Sequence, residues 1–520
     1  MSETFIQHIQ NGYKPGPNSI FLGCAMQNGQ AIPDAKVFLP LKTFNRHGLI
    51  AGATGTGKTK TLQLLAEQLS AAGVPTLLMD IKGDLSGIAA VGSTNKIIEE
   101  RCKQLNISFE PTSYPVEFLS LSNDKGVRLR ATVSEFGPVL LSKILGLNDT
   151  QGGTVSMLFK YCDDLNLPLL DLKDFIKVLQ FAAKEGKQEL QQTYGNISTS
   201  SIGTIIRKAI ELQQQGADIF FGEPSFDVND LMRTNAEGKG MVNILRVTDI
   251  QDKPKLFSTF MLCLLAELYA NLPESGDLDK PKLCLFIDEA HLIFNEAGNA
   301  LLNQIETIVK LIRSKGVGIF FVTQTPTDIP ASVLAQLGLK VQHALRAFTA
   351  KDRKAIKQTA ENFPLSNFYK TDEIITHLGM GEALVTGLNE KGVPTPLAAT
   401  LLRPPQSRMN VLTDDELNSI CSKSNLVAKY NISIDSHSAF EILSAKLENA
   451  TDSKANAEKA KPLKANTTPA KKETTALDDI LKSPAARQVA RTAAQVITRS
   501  LLGALGLNTG STRKKKSGWF

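Results

Sequence analysis

The sequence holds little aromatic character and little cysteine: one Trp, 6% Phe, Trp and Tyr together, and six Cys in 520 residues. The cysteines (Cys24, Cys102, Cys162, Cys263, Cys284, Cys421) are scattered, and no two have C-x-x-C spacing. This excludes a disulfide framework and a zinc ribbon, and it fits free thiols in a reducing compartment. The six His are equally dispersed, with no H-E-x-x-H, so metal ligation by histidine is not expected. No stretch approaches the ~18 consecutive apolar residues of a membrane span. The N-terminal MSETFIQHIQNGYKPG has no basic region leading into an apolar one, as a signal peptide would. The expected location is cytoplasmic, with no integral membrane segment.

What is present is an ordinary globular composition, 42% apolar and 21% charged, long enough for two or three domains. The net charge of +6 is unevenly placed. Residues 451–520 hold 14 Lys+Arg against 5 Asp+Glu, a net +9, which leaves −3 on residues 1–450. Any attraction to nucleic acid or anionic membrane from net charge alone therefore belongs to the tail.

Apolar periodicity divides the chain. Residues 1–45, with the runs SIFLG and KVFLP, are read as a small β-rich N-terminal element. HGLIAG (47–52) is a short strand that enters a glycine-rich turn. Leu62, Leu65 and Leu69 then recur at helical spacing up to Gly73, and VPTLLMDI (74–81) is a second buried strand. Strand, helix, strand at this spacing is a βαβ unit with a parallel sheet. Residues 46–124 are thus the first part of an α/β core. Helical patterns fill 125–235, read as an insertion. Strand signals return at MVNILRV, LCLFID, GIFFVTQ and VQHALRA and close with GEALVTGL and TPLAATLLRP, so 236–404 is the second part of the core. Residues 405–450 form a C-terminal segment and 451–482 a disordered linker. Residues 483–520 carry an amphipathic helix and a basic end. The fold class is α/β, a mainly parallel sheet flanked by helices, which becomes a P-loop NTPase (RecA-like) fold where the turn after the first strand binds phosphate.

The chemistry is concentrated in two motifs. GATGTGKT, running Gly52, Ala53, Thr54, Gly55, Thr56, Gly57, Lys58, Thr59, fits G-x-x-x-x-G-K-[ST] and sits between a strand and a helix, as the mechanism requires. Its backbone N–H groups and the helix N-terminus suit phosphate, and Lys60 follows within the same first turn. Lys58 would bridge the β- and γ-phosphates of ATP, and the Thr59 hydroxyl would bind Mg2+. LCLFIDEAH (283–291) is a buried strand ending in Asp288 and Glu289, at the edge where ligands gather in an open α/β sheet. Asp288 would hold Mg2+ through water, and Glu289 would polarise the attacking water. Gln324, ending GIFFVTQ, could sense the γ-phosphate or cap the following turn. Asp80, Lys82 and Asp84 follow the second strand and are either a surface turn or neighbours of the nucleotide. Arg313 and Arg346 are candidate arginine fingers.

The combination of GATGTGKT, a long insertion, LCLFIDEAH and RSKGVGIFFVTQTP resembles the HerA–FtsK class of P-loop ATPases. NDTQGG, FFGEPSFDVNDLMRT, DIPASVLAQLG, VQHALRAFTAKD and LLRPPQSRM resemble its bacterial HerA-like helicase branch, and the resemblance covers about residues 15–445. It implies an ATP-hydrolysing motor that assembles as a homo-oligomeric ring, usually a hexamer, with ATP between subunits. By position Arg313 then matches a finger acting in trans, and Arg346 a second arginine at the end of the next strand. LLRPPQSRM resembles a segment that covers the nucleotide base. The chain departs from the class in its short N-terminal part, its lack of a DNA-reading winged helix and its helical insertion.

Three functions compete: a ring motor on duplex DNA, an ATP-driven switch or remodeller of a protein partner, and, more weakly, a small-molecule kinase. In the tail, Ser483 caps a helix with Pro484 in its first position. Val489, Ala493, Ile497, Leu501 and Leu505 make one apolar face, with Arg487, Arg491 and Arg499 opposite. The helix either packs on its own body or docks on a partner while Arg513–Lys516 touch phosphates.

Overall fold

A computed structural model describes residues 4–122, 124–248, 253–296 and 299–459. The chain divides into two compact units, 1–131 with 212–435, and 132–211 with the chain from 436 on.

The first unit is built on a 12-stranded sheet. Its strands are β1 (Ser19–Gln27), β2 (Gln30–Pro40), β3 (Gly48–Ala51), β4 (Thr76–Asp80), β5 (Val116–Ser120), β6 (Val127–Arg128), β7 (Val242–Arg246), β8 (Leu283–Ile287), β9 (Val317–Thr323), β10 (Leu339–Gln342), β11 (Glu382–Thr386) and β12 (Ala398–Leu402). The order is β2-β1-β12-β11-β10-β3-β9-β8-β4-β7-β5-β6. From β10 to β6 all pairings are parallel, and β11, β12, β1 and β2 add antiparallel strands at one side. The expectation of a mainly parallel α/β P-loop sheet holds.

The central strands are apolar on both faces because both faces are covered. Every residue of β8 and β9 is buried, and Phe286 stacks on Phe320 with centroids 4.8 Å apart. In β11 alternation sends Ala383 and Val385 into one apolar cluster and Leu384 into another.

The β-rich N-terminal 45 residues join the main sheet. A capping box between Thr4 and Gln7 starts helix α1 (Phe5–Gly12). Asn28-Gly29, both at positive φ, turn the β1–β2 hairpin. β1 then pairs with β12 through Gly23↔Leu402, so the hairpin is the outer margin of the main sheet. Helix α2 (Lys58–Ala71) follows β3, and α3 (Lys96–Leu105) follows β4.

The second unit is helical, with helices Val133–Ile144, Asp149–Leu165, Leu172–Ala183, Lys187–Tyr194 and most of Thr199–Leu212. Capping boxes at Thr132, Asn148 and Asp171 begin the first three. This unit is narrower than the 125–235 expected for the insertion, since 212–235 cluster with the sheet. It also takes in helix Ala439–Lys459, whose Phe440 N–H donates to the buried Asp174 Oδ1 at 2.9 Å. That helix runs into the first residues of the expected linker. Residues 460–520, with the rest of the linker and the amphipathic tail, lie outside the described residues. Among the described residues no helix is long and apolar enough to cross a membrane.

Candidate active site

The glycine-rich loop joins β3 to α2 and is pinned on three sides. Gly52 N–H donates to Thr323 O at 3.3 Å, Ala53 N–H to Ala344 O at 2.8 Å, and Gly381 N–H to Thr56 O at 3.1 Å. Gly52 and Gly57 sit at φ +154° and +112°, and a Cβ on Gly52 would lie 2.5 Å from the Cβ of His343. Only glycine fits there. Thr54 and Gly55, at the crown, are exposed, and a Cβ on Gly55 would meet nothing within 4 Å. Lys58 and Thr59 open α2, so their N–H groups have no intrahelical acceptor and are free for an anion.

Lys58 is buried beneath the loop, and its Nζ donates to the carbonyls of Gly52 (2.7 Å) and Ala53 (3.2 Å). Burial lowers its pKa, with Lys82 acting in the same sense and Glu289 and Asp288 opposing. Lys60 turns elsewhere: its Nζ donates to Met409 O at 2.6 Å and to Gln63 Oε1 at 3.1 Å. That carbonyl belongs to the segment LLRPPQSRM, which lies along α2. Glu67 accepts Gln406 N–H (2.8 Å) and Ser407 N–H (3.0 Å), and Gln63 Nε2 donates to Ser407 Oγ (2.8 Å).

Asp288 and Glu289 emerge from β8 at the same sheet edge, with only β9 between β8 and β3. Both are buried. Asp288 Oδ1 accepts Glu289 N–H at 2.9 Å. Burial pushes the Asp288 carboxyl up to about 6, with the charges of Glu289 and Asp84 adding and the Glu289 N–H and Lys82 opposing. Glu289 has a left-handed backbone, φ +44°, and its Oε1 lies 2.6 Å from Lys82 Nζ. Its Oε2 is buried without a hydrogen-bond partner. His291 Nδ1 is 3.3 Å away but lacks hydrogen-bond geometry.

Thr323 pairs with Ala51, so Gln324 leaves β9 level with Gly52, and its side chain is exposed. Arg346 is also exposed at this edge, just beyond the Ala344 carbonyl that holds Ala53, and it donates to Thr376 O at 2.7 Å. Arg313 is not at this edge. It precedes β9 at the opposite end of the strands, exposed beside Arg46. The structure thus gathers Gly52–Thr59, Asp288, Glu289, Gln324 and Arg346 at one edge and leaves Arg313 at the other.

Two residues near the site escaped firm assignment from sequence. Lys82 stands in MDIKGD, which could have been any surface turn. His343 is buried behind the loop, with Nε2 2.8 Å from Thr61 Oγ1, and burial pushes it down to about 4, so it is neutral. A lone His inside an apolar strand carried no signal.

The arrangement fits a nucleotide with a divalent ion. A cradle of N–H groups and a buried lysine suits phosphates, and the unpartnered Glu289 Oε2 calls for a donor such as water. Among the described residues no cluster of three or more His, Cys, Asp or Glu could hold a metal. Thr59 and Asp288 are the residues that would hold a divalent ion shared with substrate phosphates, the mode of binding that suits Mg2+.

The family described as Helicase HerA-like C-terminal matches residues 25–510. The DNA double-strand break repair helicase HerA of Sulfolobus acidocaldarius is 21% identical over 365 residues, 70% of this chain and 66% of that protein. HerA of Sulfurisphaera tokodaii is 22% identical over 377 residues, 71% and 68% of the two chains. The DNA import protein CedB of Sulfolobus acidocaldarius is 24% identical over 367 residues, 70% and 54% of the two chains. The matches thus span about two thirds or less of those relatives' own lengths. Among solved structures, the plasmid coupling protein TrwB in complex with ADP and Mg2+ is 14% identical, over 76% of this chain and 99% of that one, with a TM-score of 0.46.

Proposed function

The chain belongs to the HerA-like helicase C-terminal family, and from that premise we propose that it is an Mg-ATP-hydrolysing motor that works as a ring, most simply a hexamer, on duplex DNA. The observation that carries the reading is the convergence of Lys58, Thr59, Asp288 and Glu289 at one sheet edge, with the phosphate loop open at its crown. The N–H groups of the loop and Lys58 hold the phosphates of ATP. Thr59 and Asp288 would hold Mg2+, which would supply charge neutralisation at the phosphate oxygens. Glu289 takes a proton from a water whose oxygen attacks the γ-phosphorus. The bond from that phosphorus to the bridging oxygen breaks, and ADP and phosphate leave. Gln324 and Arg346 stand where they can orient water and phosphate.

Arg313 stands at the other end of β9 from the loop, so in the role of a finger it would act on a neighbouring subunit's ATP. DNA as the substrate is supported by the names of the relatives, a DNA repair helicase and a DNA import protein. The test is ATPase rate with and without duplex DNA across a salt series. Stimulation that falls with salt is expected, because phosphate neutralisation dominates duplex binding. The net −3 on residues 1–450 favours the second reading, an ATP-driven remodeller of a protein partner held through the C-terminal helix. ATPase activity indifferent to DNA at low salt would select it.

A further inference from the structure

The turn after β4 is built around one carboxylate. Asp80, buried at the strand end, accepts Gly83 N–H at 2.8 Å, Asp84 N–H at 3.1 Å and Leu85 N–H at 3.1 Å. Gly83 takes φ +75° to close the turn. Three hydrogen bonds to one side chain leave this turn little freedom, and Lys82 sits within it. Because β4 pairs with β8 through Met79↔Ile287, the turn lies beside Asp288 and Glu289.

Lys82 approaches Glu289 from the solvent side: the lysine side chain is 45% exposed and the glutamate 8%. At 2.6 Å the ammonium occupies Oε1. Oε2 is buried with no hydrogen-bond partner, and His291 Nδ1 lies 3.3 Å from it. The two carboxylate oxygens are therefore unequal, one held by an ammonium and one with no hydrogen bond. The left-handed backbone at Glu289 takes its side chain out of the regular strand direction, so strand geometry does not aim it. Lys82 also faces the charges of Asp288 and Asp84. Burial works against its own charge, but the hydrogen bond and field of Glu289, with the two aspartates, outweigh it and raise its pKa.

We propose that Lys82 is a positioning residue for hydrolysis: it clamps Glu289 Oε1 so that Oε2 is the atom presented to the attacking water. The proposal rests on the reading of Glu289 as the base. The contact that Lys82 makes is with Glu289 Oε1. Lys82 acts through Glu289, and removing it frees the carboxylate to rotate beside two other negative groups.

Steady-state ATPase of the full chain with Mg-ATP tests this. Lys82→Met should lower kcat by about 10²-fold, the size of a misaligned reacting group, with KM and nucleotide affinity unchanged. Lys82→Arg should recover part of the loss. In a Glu289→Gln background Lys82→Met should add no further loss, because the two residues act as one unit. Lys82→Gln is read in parallel, so that a folding defect in one variant does not decide the outcome. Wild-type or raised kcat in the Met and Gln variants would overturn the assignment. So would a matching loss of nucleotide affinity, or a further loss on top of Glu289→Gln. An inactive wild-type chain would overturn both this proposal and the function it rests on. An active wild type with fully active Lys82 variants overturns this proposal alone.

Discussion

Arg313 gives the sharpest test of subunit assembly. It precedes β9, whose seven residues lead to the phosphate-loop edge. At ~3.3 Å per residue the strand alone separates the two edges by about 20 Å, several times the reach of an arginine side chain. Within one subunit, Arg313 cannot touch a phosphate held by Lys58. If it stabilises the transition state, it does so in the next subunit. Arg313→Ala should then lower turnover by about 10³-fold or more, about 4 kcal/mol of barrier. Glu289→Gln should lose about 10²-fold or more while retaining ATP. Mixing the two variants in equal amounts is the decisive experiment. A site works when its own subunit keeps Glu289 and its neighbour keeps Arg313, each true half the time. Recovery to about one quarter of wild-type turnover is expected, whatever the ring size. The assay is ATP turnover in freshly reassembled mixtures, with subunit exchange shown by energy transfer between labels. Activity no higher than the mean of the two variants, despite proven exchange, refutes trans action. Arg346→Ala with Glu289→Gln is the contrast: Arg346 lies at the edge of its own loop, so no mixture should recover.

Two further outcomes are expected. Lys58→Ala should weaken nucleotide binding by about 2 kcal/mol or more, the scale of a hydrogen bond to a charged group, and leave the melting transition in place; fluorescent-nucleotide titration checks it. Asp80 titrates near 3.8 when unfolded, and burial pushes it up to about 6 in the native chain, against the three N–H donors. Between those values the folded state binds more protons, so the contribution of Asp80 to stability falls as pH rises through that window and is flat above about 6. The change is about 3 kcal/mol, and the stability difference between wild type and Asp80→Asn should follow it in denaturant melts from pH 4 to 7. A pH-independent difference would show that Asp80 is not perturbed.

Much of this site was legible because its signals are local. GATGTGKT encodes its own turn: the glycines permit backbone angles closed to other residues, and the following residues can only begin a helix. LCLFIDEAH is readable for a similar reason, since a run of buried apolar residues must end where a charge appears. Short or half-polar elements were harder. Helix α1 has only eight residues, and β5, VEFLS, carries a Glu in a buried strand that Arg233 pairs at 2.9 Å. The runs SIFLG and KVFLP marked the N-terminal part as β-rich, but nothing local said that its partner would be β12 near the other end of the core.

The sequence by itself therefore determined which segments become strands and helices around the glycine-rich loop, and which residues end those strands and open that helix, because these follow from periodicity and backbone chemistry over a few neighbours. Tertiary structure decided everything that depends on strand order. It set β4 beside β8, which brought Lys82 onto Glu289. It put Arg346 at the near edge and Arg313 at the far one, because in a parallel sheet the residues before and after a strand are separated by the strand's full length. It also gave Lys60 to the Met409 carbonyl, and it made the first 45 residues part of the main sheet. Pairing between distant segments is selected by the packing of the whole core, and no window of sequence contains both partners.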